Sequence, residues 1–445
     1  MNHKFIKNRD IILFSSQPWN TELGSNFKDM ALELAQFNRV LFVNRALNRV
    51  SLWKGKNNVQ VQTRLASVKK SIGELVEVQT GLWLHNPRTI LESINWIPFS
   101  AIHDFFNKIN NRRLAREINK MILRLGFTNT ILINDNDFIR GRYLKQLVPC
   151  SDYIFYKRDY MLGVRYFQRH GPRLEAGILR EADMVVTNSE YLTKQAKKSN
   201  RNSYDIGQGC DPSTYAATDV SVPEDIQHFK KPVIGYTGYV SAWRIDVEIL
   251  IYIAEQLPEC SIVLIGPVDI LFQTEEVKHL ENIYFLGTKP SAELPGYIKY
   301  FDVCINPQVL NEITMGNYPR KVDEYLAMGK PVVATATETM RLFKDYCMLC
   351  ETKLEFVENI KQILDNPGLY MSENERQRRI SFALTHTWTK SIGRLGDAYF
   401  DAKSKPPDPV LSINGPGTQT SMLQILATCF LVLYLVFIFI KFLFY

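Results

Sequence analysis

The chain has 445 residues, 46% of them hydrophobic and 22% charged, with a net charge of +7 and seven cysteines. That length exceeds one ordinary core, so two domains of about 200 residues each are expected, and the composition excludes a disordered chain. The basic patches at 112–116 and 197–201 have no interleaved aromatics, which argues against a nucleic-acid partner, and scattered cysteines in odd number fit reduced thiols.

In chain order, the N-terminus carries only a short apolar run, too brief for a signal peptide, so the first domain is expected to stay in the cytosol. Ile11–Phe14 reads as a strand, Ser15–Gly24 as a polar loop, Phe27, Met30, Ala31 and Leu34 as one helix face, and Val40–Val43 as a second strand, together a βαβ unit. Strands follow at Thr130–Ile133, Tyr153–Tyr156 and Met184–Thr187, separated by helix-like segments such as Arg112–Leu125 and Arg173–Ala182. A second alternating series has strands at Val233–Tyr236, Ile262–Ile265, Ile283–Leu286, Val303–Ile305, Val332–Ala334 and Met348–Leu349, with helices near 246–257, 292–301, 319–328, 338–345 and 354–365. Such alternation implies parallel sheets covered on both faces. Gly207–Pro212 looks like a hinge, and 371–402 looks helical. The expected organisation is an α/β chain with two Rossmann-like, doubly wound domains at 1–212 and 213–402, a Pro-, Gly- and Ser-rich linker at 403–420, and a transmembrane helix at 421–441. Met422–Ile440 contains no charge, and its nineteen residues span roughly 29 Å as a helix, matching a bilayer core. Lys403 and Lys405 precede it, which predicts a single C-terminal anchor in the inner membrane with the domains on the cytosolic face.

Tyr318–Thr335 is the most informative stretch. Val322, Tyr325, Leu326 and Gly329 fall on one helix face, Pro319 opens the helix, Gly329 and Pro331 close it, and Val332–Ala334 continue as a strand. Arg320 and Lys321 lie in the first turn, where the helix dipole is already positive, so an anionic ligand is expected to offset them. Glu324, one turn on and off the apolar face, is placed to accept hydrogen bonds from ligand hydroxyls. The competing reading is a surface helix with ordinary ion pairs.

This stretch resembles the donor-site segment of two-domain bacterial polysaccharide glycosyltransferases of the large retaining family, the GT-B group 1 or family 4 type, including teichuronic-acid and exopolysaccharide transferases. The resemblance implies that Glu324 holds the donor ribose and that Lys321, with Arg320 beside it, faces the diphosphate. Many members carry a second Glu eight residues earlier, touching the transferred sugar; this chain has Gly316 there, and Glu312 lies nearby at a different spacing. The Gln208-Gly209-Cys210-Asp211 run resembles the family's inter-domain junction.

Open parallel sheets bind ligands at the carboxyl ends of their strands. In the second domain that places Gly238 and the loop ending in Arg244, whose planar fork suits a diphosphate, at the donor. The resemblance adds Gly266 and Gly287 as turns over the nucleobase, although glycines also simply end strands. Gly24, before the first helix, leaves backbone free for a diphosphate at a positive helix end. His85, Asp135 and Asp159 each sit where a loop leaves a strand, on the acceptor side; Asp159 is the candidate base, and capping a turn is its alternative role. Gly-x-Gly-x-x-Gly and P-loop signatures are missing where a nucleotide domain would show them, which argues against a dehydrogenase or P-loop enzyme. His/Cys spacings predict no metal; the Cys347-Met-Leu-Cys350 run reads as a strand.

The expected activity is therefore transfer of a sugar, with retention favoured, from a nucleotide-diphosphate donor to a hydroxyl of a glycan or lipid-linked precursor at the membrane, with no tightly bound cofactor. A nucleotide-sugar epimerase of the same fold and a catalytically inactive nucleotide-binding scaffold remain alternatives.

Overall fold

The computed structural model describes residues 3–20, 26–54, 61–62, 65, 74–212, 215, 220–269, 272 and 274–406. Met1–Ala402 form one compact unit, and the segment from Lys403 onward forms another. The predicted span 421–441, most of the linker and Gly24 lie outside the described residues. Among the described residues no helix is long and apolar enough to cross a membrane.

The compact unit is built on two sheets. The first contains β1 (Asp10–Phe14), β2 (Arg39–Val43), β3 (Leu75–Gln79), β4 (Leu82–His85), β5 (Thr130–Asp135), β6 (Asp152–Lys157), β7 (Met184–Thr187) and β8 (Ser203–Asp205), in the order β3-β4-β2-β1-β5-β6-β7-β8. All neighbours are parallel except β3 and β4, which pair antiparallel. The central strands are short runs of Ile, Leu, Val and Phe with every residue buried, because helices cover both faces. On one face the helix Ser100–Leu125 packs Leu114, Ile118 and Met121 against Leu132 and Phe155. On the other, Phe27 and Met30 of the helix Asn26–Leu34 meet Phe42 and Tyr156.

The second sheet contains β9 (Val233–Thr237), β10 (Ser261–Ile265), β11 (Ile283–Gly287), β12 (Val303–Asn306), β13 (Val332–Thr335) and β14 (Met348–Cys350), all parallel, in the order β11-β10-β9-β12-β13-β14. The helices Val247–Gln256 and Lys353–Asp365 line one face, and Leu294–Tyr300 and Arg320–Ala327 the other. Strand order reverses between β1 and β5 and again between β9 and β12, which puts a ligand crevice at the carboxyl ends of each pair.

The strands expected from apolar runs are present; β3 and β8 were not anticipated, because β3 is largely exposed and β8 has only three residues. The expected helix at 338–345 is a short 3-10 turn, Thr339–Phe343. Residues 371–402 divide into Glu373–Ala383 and Trp388–Ser404. The second of these leaves the second sheet and buries Trp388, Ile392 and Leu395 in the core of the first.

Candidate functional site

The helix Arg320–Ala327 is fixed by its apolar face: Val322, Tyr325 and Leu326 are fully buried under the second sheet. The Tyr325 hydroxyl accepts a hydrogen bond from the Thr237 backbone N–H at 2.7 Å, locking the helix to the end of β9. Lys330, in the turn that follows, donates to the carbonyls of Lys299 and Phe301 at 2.7 and 2.6 Å, satisfying the end of a neighbouring helix. The registration carries Lys321 and Glu324 to the carboxyl end of β9.

There the Lys321 amino group donates to the Tyr236 hydroxyl and lies 3.8 Å from the centroid of that ring. Burial, reinforced by repulsion from Arg244, pushes its pKa down to about 7. Arg244 is exposed in the loop after β9, and among the described residues no carboxylate lies within ion-pair distance of it or of Lys321. Lys321 thus lies within electrostatic range of a like charge, Arg244, and Glu324 offsets that repulsion only in part. Glu324 accepts a hydrogen bond from Tyr215 and lies 3.3 Å from the Arg320 guanidinium; burial raises its pKa against the pull of Arg320 and Lys321.

Three glycines shape this end of the sheet differently. Gly238 has φ +127°, and a Cβ there would stand 2.8 Å from Lys321 Nζ. Gly266 has φ +144°, and its Cβ would stand 2.0 Å from the Gly238 carbonyl oxygen, so the loops after β9 and β10 touch backbone to backbone. Gly287 has φ +67° and open space around it.

In the first sheet, Asp135 is fully buried, receives hydrogen bonds from Ser16 N and Oγ, and pairs with Arg158 Nε at 2.6 Å. Arg158 also reaches half-exposed Asp159 at 3.3 Å. Asp135, expected on the acceptor side, therefore acts as an internal anchor for Arg158. His85 is likewise corrected: its side chain is fully buried, Nδ1 lies 2.9 Å from the Glu74 carbonyl and Nε2 3.6 Å from Glu117, so it ties β4 to the long helix instead of lining a cavity. The hydrophobic run before it that marked it as a strand end also sealed it.

The carboxyl-end loops of the two sheets meet. Arg320 Nη1 is 3.1 Å from both Asn26 Oδ1 and Asp29 Oδ2, so this first-turn cation, expected at the donor, instead spans the lobes. Ser189 Oγ donates to the Gly316 carbonyl at 3.0 Å, and Lys194 pairs with Glu338 at 3.1 Å. A Cβ on Gly316 would stand 2.5 Å from Tyr191 Cδ1, so this position has been given to lobe contact and has no room for a longer side chain. Exposed Glu312 sends its charge toward Tyr160 of the first lobe. Among the described residues no group of three His, Cys, Asp or Glu side chains is arranged to hold a metal.

Sequence reading missed Tyr236, Tyr215, Arg158 and Arg45. Tyr236 and Arg158 carried a usable signal, since each stands at or just past the end of a strand, where ligands gather. Tyr215 had none.

Two doubly wound sheets, parallel but for the edge strand β3, meeting at their carboxyl ends define the α/β GT-B-like glycosyltransferase fold. Residues 231–366, within the second lobe, match the family model described as glycosyl transferases group 1. The chain is similar to the Bacillus subtilis (strain 168) protein named as a teichuronic acid biosynthesis glycosyltransferase, TuaH, at 24% identity over 227 residues. That match covers 48% of this chain and 56% of the relative, so the chain spans little more than half the relative's length. Anabaena Alr3699/HepE, solved in complex with UDP, superposes with a TM-score of 0.60 at 14% identity, covering 88% of this chain and 100% of that one. Sucrose-phosphate synthase from Thermosynechococcus elongatus gives 0.60 at 15% identity, with 89% and 100% covered. At identities this low, the likeness shows the fold alone.

Proposed function

We propose that the protein is a glycosyltransferase that moves a sugar from a nucleoside-diphosphate donor to a hydroxyl acceptor. The observation that carries this is the pair Arg244 and Lys321 at the end of β9: they repel each other, no carboxylate among the described residues lies within ion-pair distance of either, and Glu324 offsets the repulsion only in part. Like charges are held together at a cost unless an anion of matching size completes the site, and a diphosphate does so. UDP in the similarly folded Anabaena structure supports a nucleoside diphosphate as that anion. Gly238 keeps the backbone beside Lys321 bare, and Glu324, steadied by Tyr215, receives the ribose hydroxyls.

Catalysis in this reading is electrostatic: charge growing on the departing diphosphate is met by groups already in place, with the lobes closed to exclude water. A retaining course fits the acceptor side, where Asp135, Asp137 and Asp159 are each engaged by an arginine. The acceptor proton then passes to the departing diphosphate oxygen. The charge-free run Met422–Ile440, of bilayer length as a helix, supports a place at the inner membrane, acting on a glycan or lipid-linked precursor.

The test is transfer from a panel of labelled nucleotide sugars by wild type and Glu324→Ala. Loss of two charge-assisted hydrogen bonds is expected to raise donor KM by about 10- to 100-fold. Equal turnover at low donor would reject the ribose assignment, and nucleoside-diphosphate binding without transfer to any acceptor extract would reject catalysis itself.

A further inference from the structure

Several of the first lobe's large aromatic side chains stand in solvent: Trp53 is 71% exposed, Trp96 72%, Phe105 61%, Tyr166 60% and Phe99 54%. One such ring alone needs no explanation, but these belong to neighbouring segments. The helix Arg49–Lys54, which carries Trp53, is tied to the segment 92–96 by Val50 N donating to Ser93 Oγ at 3.2 Å and by the Arg49–Glu92 pair. Trp96 donates its indole N–H to the Ser93 carbonyl at 2.6 Å, so its ring is held at that junction. Asn95 Nδ2 reaches the Tyr166 carbonyl at 3.4 Å, and Arg169 donates to the Trp96 carbonyl at 2.8 Å. Phe99 leads into the helix Ser100–Leu125, where Phe105 shares one solvent stripe with Lys108, Arg112 and Arg116.

The charge left over on this face has one sign. Glu92 and Asp104 are the carboxylates of 92–116 and 161–173, and both are taken: Glu92 by Arg49 and Arg113, Asp104 by both terminal nitrogens of Arg173 at 2.6 and 2.7 Å. Lys108, Arg112, Arg116, Arg165 and Arg169 are exposed, and among the described residues no carboxylate lies within ion-pair distance of any of them. Amphipathic rings favour the headgroup level of a bilayer, and unpaired Lys and Arg favour anionic lipid beneath it.

We propose that this face of the first lobe rests on an anionic bilayer, with Trp53, Trp96, Phe99 and Phe105 in the headgroup layer and the unpaired cations against lipid phosphates. A second copy of the chain is the poorer occupant, because it would set like charges against one another. Tyr166 packs on Phe167 with 4.9 Å between ring centroids, and Phe167 lines a cavity of about 240 Å³ that also includes Asn136 and Asp159, just beyond β5 and β6. The lipid contact therefore runs to the mouth of the acceptor-side cavity, where a lipid-linked acceptor would enter. The proposal deepens the inner-membrane reading and rests on it, by assigning the face that meets the lipid.

The experiment reconstitutes the full chain in vesicles of phosphatidylcholine and phosphatidylglycerol with brominated acyl chains and reads the quenching of tryptophan fluorescence. Residues 407–445 contain no tryptophan, so the C-terminal apolar run is silent in this readout. Quenching is expected in wild type, to lose most of its amplitude in Trp53→Ser/Trp96→Ser, and to persist in Trp243→Phe, which removes an exposed ring of the second lobe. Arg112→Gln/Arg165→Gln/Arg169→Gln should lower it to the level that phosphatidylcholine alone gives. Every altered side chain is exposed, and melting temperatures check that the variants fold. Quenching that survives the loss of Trp53 and Trp96, or that is equal in neutral vesicles, would overturn the proposal. So would a dimer in sedimentation without lipid that Trp96→Ser dissolves, which would give the face to a second copy. A chain that floats with the vesicles yet shows no quenching would remove this face and leave the membrane reading standing, and since no nucleotide is present, neither result bears on glycosyl transfer.

Discussion

Lys321 sits in a position no isolated lysine would choose. Its amino group is largely removed from water and faces Arg244, which together bring its pKa to about 7. Between that value and the unfolded value of about 10.4, the unfolded chain binds more protons than the folded one, so stability of the unliganded protein rises with pH across this window. A diphosphate reverses the sign, because its charge restores the protonated amine. Binding of UDP at pH 8 is thus expected to take up a proton, and affinity to fall as pH climbs above 7. Calorimetry in buffers of different ionisation enthalpy measures the uptake directly. Lys321→Met should abolish it, weaken UDP, and stabilise the empty protein at neutral pH; an uptake of zero in wild type would mean that the amine does not meet the phosphates.

The same side chain shows which parts of the site a sequence can disclose. The helix Arg320–Ala327 was legible because its periodicity and its closing Gly329 and Pro331 are local, and Lys321 and Glu324 came with it. Arg320 was not, since its partners Asn26 and Asp29 lie almost three hundred residues away. The glycines divide in the same manner: all three end strands, yet only the fold reveals that Gly266 is pressed onto the Gly238 backbone while Gly287 stands clear. Alanine at each position separates the two situations. Gly287→Ala should cost about 1 to 2 kcal/mol for its left-handed backbone and leave UDP binding intact. Gly266→Ala adds a contact that only backbone movement can relieve, and should cost more stability and displace the loop bearing Arg244. Urea unfolding and UDP titration of both variants provide the comparison; equal costs would mean that the two loops are not in contact.

Across the whole molecule, the chain crosses between the sheets twice, and the crossings run side by side. Cys210 N donates to the His386 carbonyl at 2.9 Å, Cys210 bridges to Thr387, and a Cβ on Gly209 would meet the Trp388 ring at 2.3 Å. His386 in turn holds buried Asp323 at 2.7 Å, and the Tyr318 hydroxyl donates to the same carboxylate at 2.7 Å, tying the return crossing to the helix Arg320–Ala327. Closure is therefore linked to the position of Lys321 and Glu324 through one short stretch of packed side chains. Away from the crossings the lobes are joined by polar contacts and by the Gly316–Tyr191 packing, and among these Arg320, on the helix of Lys321 and Glu324, reaches Asp29 and Asn26. Two-lobe chains held mainly by such contacts move relative to one another by default. A partly exposed pair of this kind contributes about 1 kcal/mol, enough to change an open-to-closed ratio about fivefold. Asp29→Ala is thus expected to enlarge the radius of gyration of the empty protein in solution scattering and to weaken UDP only a few-fold, because Lys321 and Arg244 remain untouched. Saturating UDP should return the variant to the wild-type radius, as a ligand that prefers the closed form must. A radius unchanged by the substitution would show that the Arg320–Asp29 pair does not help to hold the lobes together.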